Sequence, residues 1–185
     1  MKNSTKFKIP LILLLLFFSF SKVKAQSYAN AFAANIGIVQ DGIGGLFNYN
    51  YFLDRHDNIE AGVLMTAANF KYVEGIKIPY NDFTLNIGYS KNVYWNYQNT
   101  FNVNLAAGGV FGYETLNKGN KELSNGAIIE SKPGFIYGAY IGVDLDYAIT
   151  DQYSITFRMN EYYHANSTLG EFIPFVGLGF RYYAN

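Results

Sequence analysis

The sequence predicts an all-β fold, an eight-stranded antiparallel up-and-down transmembrane β-barrel after an N-terminal signal peptide. Three observations predict it. Apolar and polar residues alternate with period two along much of the chain, the mark of a strand with two different faces. Hydrophobic residues make up 50% of the sequence, yet the mean hydropathy is near zero, so the two kinds are finely interleaved. The 17 Tyr, 16 Phe and 18 Gly favour strands joined by tight turns.

The expected organisation is a signal peptide over residues 1–25 and a single barrel domain over 26–185. Lys2, Lys6 and Lys8 form a basic start, Leu11 to Phe18 an apolar core, and Val23-Lys24-Ala25 a small-residue cleavage site before Gln26. The apolar run is too short for a spanning helix, which needs about 20 residues. Without Cys there is no disulfide framework, no thiolate metal site and no lipoprotein acylation site.

The strands follow in order. Segments 28–39 and 44–53 come first, their alternation blurred by Ala and Gly, and 59–72 is the third. In 82–94, Phe83, Leu85, Ile87 and Tyr89 oppose Thr84, Asn86, Gly88 and Ser90. In 100–114, Phe101, Val103 and Leu105 alternate with Asn102 and Asn104. Segment 135–149 is the clearest: Phe135, Tyr137, Ala139, Ile141, Val143, Leu145 and Tyr147 share one side, and Asp144 and Asp146 lie on the other. Tyr153, Ile155, Phe157 and Met159 share a side in 153–163, as do Val176, Leu178, Phe180 and Tyr182 in 172–183.

An even number of antiparallel strands closes without edges. The large residues fall on the apolar face, and eight strands leave little interior room, so that face is expected to meet lipid while small and polar residues fill the lumen. The competing architecture is a secreted soluble barrel around a small ligand, which requires the large apolar faces to point inward. With both termini periplasmic, short turns are expected near Asp54–Asn58, Trp95–Asn99 and Thr150–Gln152, with longer outer loops at about 73–81 and 115–134. Tyr94, Trp95, Tyr97, Tyr147 and Tyr153 suit an aromatic girdle at the periplasmic interface, and Tyr72, Tyr113 and Tyr162 one at the outer interface.

The signal segment holds five Lys and no acid, leaving nine basic against 14 acidic residues, a net charge of −5. No direct nucleic-acid binding is expected, because the usual basic footprint is missing. Asp144, Asp146, Arg158 and Arg181 fall on the inferred lumen face, where charges are expected in pairs. A three-residue connection at Asp151 is expected to bring Asp146 opposite Arg158. The cluster reads as a gate or as a register-fixing plug, and the narrow interior favours the plug.

His164, Ser167 and Glu171 share the last outer connection and have the residue types of a hydrolytic triad, but no nucleophile elbow surrounds Ser167. His56 sits alone in a charged turn, and two His without Cys do not make a metal cluster. The Gly44-Gly45 and Gly108-Gly109 pairs and Gly177-x-Gly179 lack the strand–loop–helix context of a phosphate loop and read as strand packing. No catalytic residue, metal ligand or cofactor is assigned. Lys118, Lys121, Glu122, Glu130 and Lys132, in the longest outer connection, are the expected partner-contact loop.

Two stretches carry a family resemblance. One is Gly112-Tyr113-Glu114-Thr115, then Asn125-Gly126-Ala127 and Phe135-Ile136-Tyr137-Gly138. The other runs from Leu145-Asp146-Tyr147-Ala148-Ile149-Thr150-Asp151 through Arg158 and Asn166-Ser167-Thr168-Leu169-Gly170 to Gly177-Leu178-Gly179. Their order and spacing resemble the TraO family of conjugative-transposon proteins of Bacteroidota, most clearly from about Gly108 onward. The resemblance implies an envelope component of a conjugative, type IV secretion-like apparatus, with other envelope proteins of that machine as partners, and it brings no catalytic residue. Gly177, Phe180 and Tyr182 resemble the terminal-strand signal read by the outer-membrane barrel assembly machinery. The resulting expectation is a non-enzymatic outer-membrane protein in contact with lipid. The alternatives are a stand-alone barrel for adhesion or envelope integrity, or an enzyme using His164 and Ser167.

Overall fold

The computed structural model describes residues 30–73, 76–98, 100–120, 134–167 and 170–184, with backbone alone at 70–73, 76, 77 and 118. The expected signal peptide lies outside the described residues.

Eight strands form as the alternation requires: β1 (Asn30–Val39), β2 (Gly42–Phe52), β3 (Asn58–Val73), β4 (Ile76–Trp95), β5 (Phe101–Leu116), β6 (Gly134–Ala148), β7 (Tyr153–His164) and β8 (Phe172–Ala184). Each pairs antiparallel with its sequence neighbour. Closure comes from β1 against β8, in register from Asn30↔Ala184 to Val39↔Phe175. No edge strand is left open. β1 and β2 are joined through Gln40 and Asp41, with Asp41 at φ 58°, the left-handed conformation a two-residue hairpin turn favours.

The faces decide the environment. On β1, Ala31, Ala33 and Asn35 are buried inside while Phe32, Ile36 and Ile38 stand outside. Ile36 is 79% exposed, and Ile87 and Ile141 are 66% exposed each. A continuous belt of such side chains on a closed barrel is a lipid-facing surface, and this orientation rules out the soluble ligand-binding barrel.

Four expectations need correction. β3 and β4 continue pairing out to Val73↔Ile76, so the third connection is the tip of a long hairpin rather than a loop over 73–81. Lys71 and Lys77, cross-strand partners near the end of this hairpin, interrupt the apolar pattern in the sequence, which is why it reads as loop there. Tyr162 is fully buried in the lumen, and the parity set by Ile155, Phe157 and Met159 puts Tyr163 outside in its place. The lumen also holds large apolar side chains, with Val39, Leu64, Leu116, Ile173 and Phe175 in one packed cluster. Finally, the three-residue connection after Ile149 is present (Ile149 N–H to Tyr153 carbonyl, 2.8 Å), but the register it sets is Asp144↔Arg158 and Asp146↔Thr156. Asp146 therefore does not oppose Arg158.

Two glycines make the interior possible. A Cβ on Gly88 would lie 2.3 Å from the Tyr140 hydroxyl, and one on Gly108 would lie 2.5 Å from the Gly88 Cα. Their missing side chains are the space Tyr140 occupies. Gly45 and Gly109 face outward with open space, so close approach does not explain the second residue of either glycine pair.

Candidate functional site in the barrel lumen

Inward parity places Glu60 on β3, Tyr140, Asp144 and Asp146 on β6, Arg158 on β7 and Arg181 on β8. The Arg158 guanidinium donates to Glu60 Oε2 at 2.8 Å and to Asp144 Oδ2 at 3.1 Å. With strand order closed from β1 to β8, β3 and β7 stand on opposite walls, so the Arg158–Glu60 pair spans the lumen. Tyr140 donates its hydroxyl proton to Glu60 Oε1 at 2.5 Å. Asn48, with its amide oxygen toward the guanidinium, accepts from Arg158 Nη1.

Arg181 forms the second half of the network, donating to both Asp144 and Asp146. The Tyr183 hydroxyl adds a bond to Asp146 Oδ2 at 3.1 Å. Asp144 thus holds both arginines. Hydrogen-bonded amides and hydroxyls continue the filling: Asn35 to Thr156 (2.7 Å), Asn92 to Asn104 (2.8 Å) and Asn160 to Tyr162 (2.8 Å). Tyr140 and Tyr162 stack at 5.6 Å between centroids. Burial of this many charges is tolerable only because they are paired and multiply hydrogen-bonded. Asp144, Asp146, Arg158 and Arg181 are brought together as the sequence suggested. Glu60 was missed, though the alternation of Ile59, Ala61 and Val63 against it marks it as inward; Tyr140 alternates onto the same side as Asp144 and Asp146 but was not assigned to the cluster.

The other sites fall out differently. The Ser167 hydroxyl donates to Glu114 Oε2 at 2.6 Å, and Ser167 meets His164 only through the backbone, its N–H donating to the His164 carbonyl at 3.3 Å. His164 is fully buried with both ring nitrogens lacking a hydrogen-bond partner, and Glu171 meets it only through the backbone, where its carbonyl accepts the His164 N–H at 2.7 Å. The three do not form a nucleophile–base–orienter chain. Among the described residues, no group of three or more His, Asp or Glu side chains is placed to hold a metal ion by itself. His56 stacks on Trp95 at 4.5 Å, in a turn where Asp54 accepts from the N–H groups of His56 (2.8 Å) and Asp57 (2.7 Å). Lys121, Glu122, Glu130 and Lys132 lie outside the described residues, and Lys118 lies in a short 3-10 turn, Asn117–Gly119. On β8, Gly177 packs against the Phe175 ring, Phe180 faces outward and Tyr182 packs on Tyr153 at 5.2 Å.

Among solved structures, the chain is similar to Neisserial surface protein A, with a TM-score of 0.53 and 13% identity over 88% of this chain and 100% of that one. It is also similar to the outer membrane protein OprG of Pseudomonas aeruginosa, with a TM-score of 0.53 and 8% identity over 85% of this chain and 98% of that one. Identities this low speak for the fold. Together with the outward apolar belt and the plugged interior, they define a small barrel of the outer-membrane class. No curated protein matches the sequence. Residues 40–184 match the family described as conjugative transposon protein TraO, and the chain belongs to that family.

Proposed function

We propose that this protein is a non-enzymatic outer-membrane component of a conjugative DNA-transfer apparatus, a type IV secretion-like machine. It reaches the outer membrane through a cleaved signal peptide and is inserted by the barrel assembly machinery, which reads Gly177, Phe180 and Tyr182. It works through its rim and outer connections, including Lys118, Lys121, Glu122, Glu130 and Lys132, which contact other envelope proteins of the apparatus. Family membership supports the conjugative setting. The observation that carries the structural role is the lumen crossed by Arg158 and Glu60 and packed with side chains on either side. A lumen this narrow and this full admits neither DNA nor a substrate. What remains to act is the outer surface.

The test is a mating assay on a donor strain lacking the protein, with plasmid complementation. The expected result is a large loss of transfer that the plasmid restores. Normal transfer would contradict the reading and leave a stand-alone surface barrel, for adhesion or envelope integrity, in its place.

A further inference from the structure

One charge on the outward wall has no partner within the barrel. Glu161 lies on β7 with the same parity as Ile155, Phe157, Met159 and Tyr163, and it pairs across to Ile141 on β6 and Pro174 on β8. Met159 and Tyr163 flank it along the strand, so every outward neighbour is apolar or aromatic. Tyr163 stacks on Phe172 at 5.2 Å, between Glu161 and the end of β7. The carboxylate thus lies on the apolar side of an aromatic pair of the kind that marks a membrane interface. Among the described residues Glu161 makes no ion pair and no side-chain hydrogen bond, and it is the single acid at an outward strand position. Gly109 shares this wall. Its row runs through Ala139 to Tyr163, and it is an outward glycine that packing inside the barrel leaves unexplained.

An ionisable side chain in a lipid-facing wall is costly, and such residues are kept where a partner meets them. The partner that suits a carboxylate is a cation. Lys91 is the single cation among the described side chains at outward strand positions, four residues from the Trp95 end of β4, the end shared with the β6–β7 turn. Glu161 is three residues from the opposite end of β7. A second copy in the same orientation therefore does not bring Lys91 to this depth. We propose that Glu161 anchors a membrane-spanning segment of another envelope protein through a Lys or Arg of that segment, laid across Gly109 and Ala139. Short residues let backbones approach closely in a membrane, and an ion pair is stronger where water does not screen it. The wall so assigned adds to the rim as a contact surface, and it rests on the conjugative reading only for the apparatus to which the partner belongs.

The experiment has two arms. In donor cells, a photo-crosslinking amino acid replaces Ile141, beside Glu161, or Ile36 on β1 as the control. Light should give an adduct with another membrane protein from position 141 and not from 36. Glu161→Lys should abolish that adduct, and an acid in place of the partner's Lys or Arg should restore it. No adduct, a lipid adduct, an adduct with a second copy, or one indifferent to Glu161→Lys would each overturn the proposal, whatever deletion of the whole protein does to mating. The second arm sets the isolated barrel against the donor strain. Glu161→Leu should raise the urea midpoint in lipid vesicles, because the barrel alone gives the carboxylate no partner. In a strain whose transfer needs the protein, it should lower transfer by about tenfold or more at an unchanged level of folded protein, because the partner's cation is left stranded. A lower urea midpoint, or transfer equal to that of the wild type in such a strain, would overturn the proposal.

Discussion

Arg158 on β7 and Glu60 on β3 meet at 2.8 Å from opposite walls of the barrel, 98 residues apart in sequence. The same guanidinium holds Asp144, and Asp144 holds Arg181, so one cation links three strands across the interior. Removing Arg158 strands the buried Glu60 carboxylate and leaves Asp144 with Arg181 alone.

Arg158→Met should therefore destabilise the folded barrel by about 3–5 kcal/mol, the usual cost of stranding buried charge. Arg158→Lys should not restore the loss, because one ammonium cannot match the fork that serves Glu60, Asp144 and Asn48 together. Urea unfolding in lipid vesicles measures both.

Gly108→Ala should destabilise by about 1–3 kcal/mol, since its Cβ meets backbone at Gly88 and the Tyr140 ring, and neither can withdraw without disturbing Glu60. Gly45→Ala, with no atom within 4 Å of its Cβ, should be close to neutral. The temperature at which the folded band is lost on cold electrophoresis separates the two.

A charge placed in the outward belt should be costly. Ile87→Lys is expected to lose about 2–4 kcal/mol if the position sits near the midplane of the bilayer, as the strand bounds place it. The urea midpoint in vesicles reads the effect, and a neutral outcome would argue against lipid contact.

Asp54 tests the β2–β3 turn. Its carboxyl is held below the ordinary value of 3.8 by hydrogen bonds from the backbone N–H groups of His56 and Asp57. A depressed folded value means that the turn gains stability above the unfolded value and loses it as pH falls through the folded one. A side-chain NMR titration should give Asp54 a midpoint below 3.8, and Asp54→Ala should release the amide of His56 to faster hydrogen exchange. The group is fully exposed, so the effect on global stability should be small.

Parity made the fold legible. From Phe135 to Tyr147 each residue's side is determined by counting, and the inward positions of Asp144, Asp146, Arg158 and Arg181 followed from it. Parity does not say who meets whom across the lumen. That Arg158 takes Glu60 depends on β3 and β7 facing each other, which only closure of the barrel decides. A two-residue error in pairing the β6–β7 hairpin was enough to give Arg158 the wrong aspartate, because the step preserves the face. The full length of the β3–β4 hairpin escaped notice for another reason: Lys71 and Lys77 fall in its paired end and break the alternation that marks a strand. His164 closes β7, where a polar residue reads as loop until the neighbouring walls are seen to bury it.

The claim that the barrel is a closed body acting through its surface is tested most directly by electrical recording of the purified wild-type protein in planar bilayers. The lumen crossed by Arg158, Glu60, Asp144 and Arg181 predicts no stable conductance steps in molar salt across a range of voltages. Regular, protein-dependent open levels would contradict the account and turn the charged network from a plug into a gate.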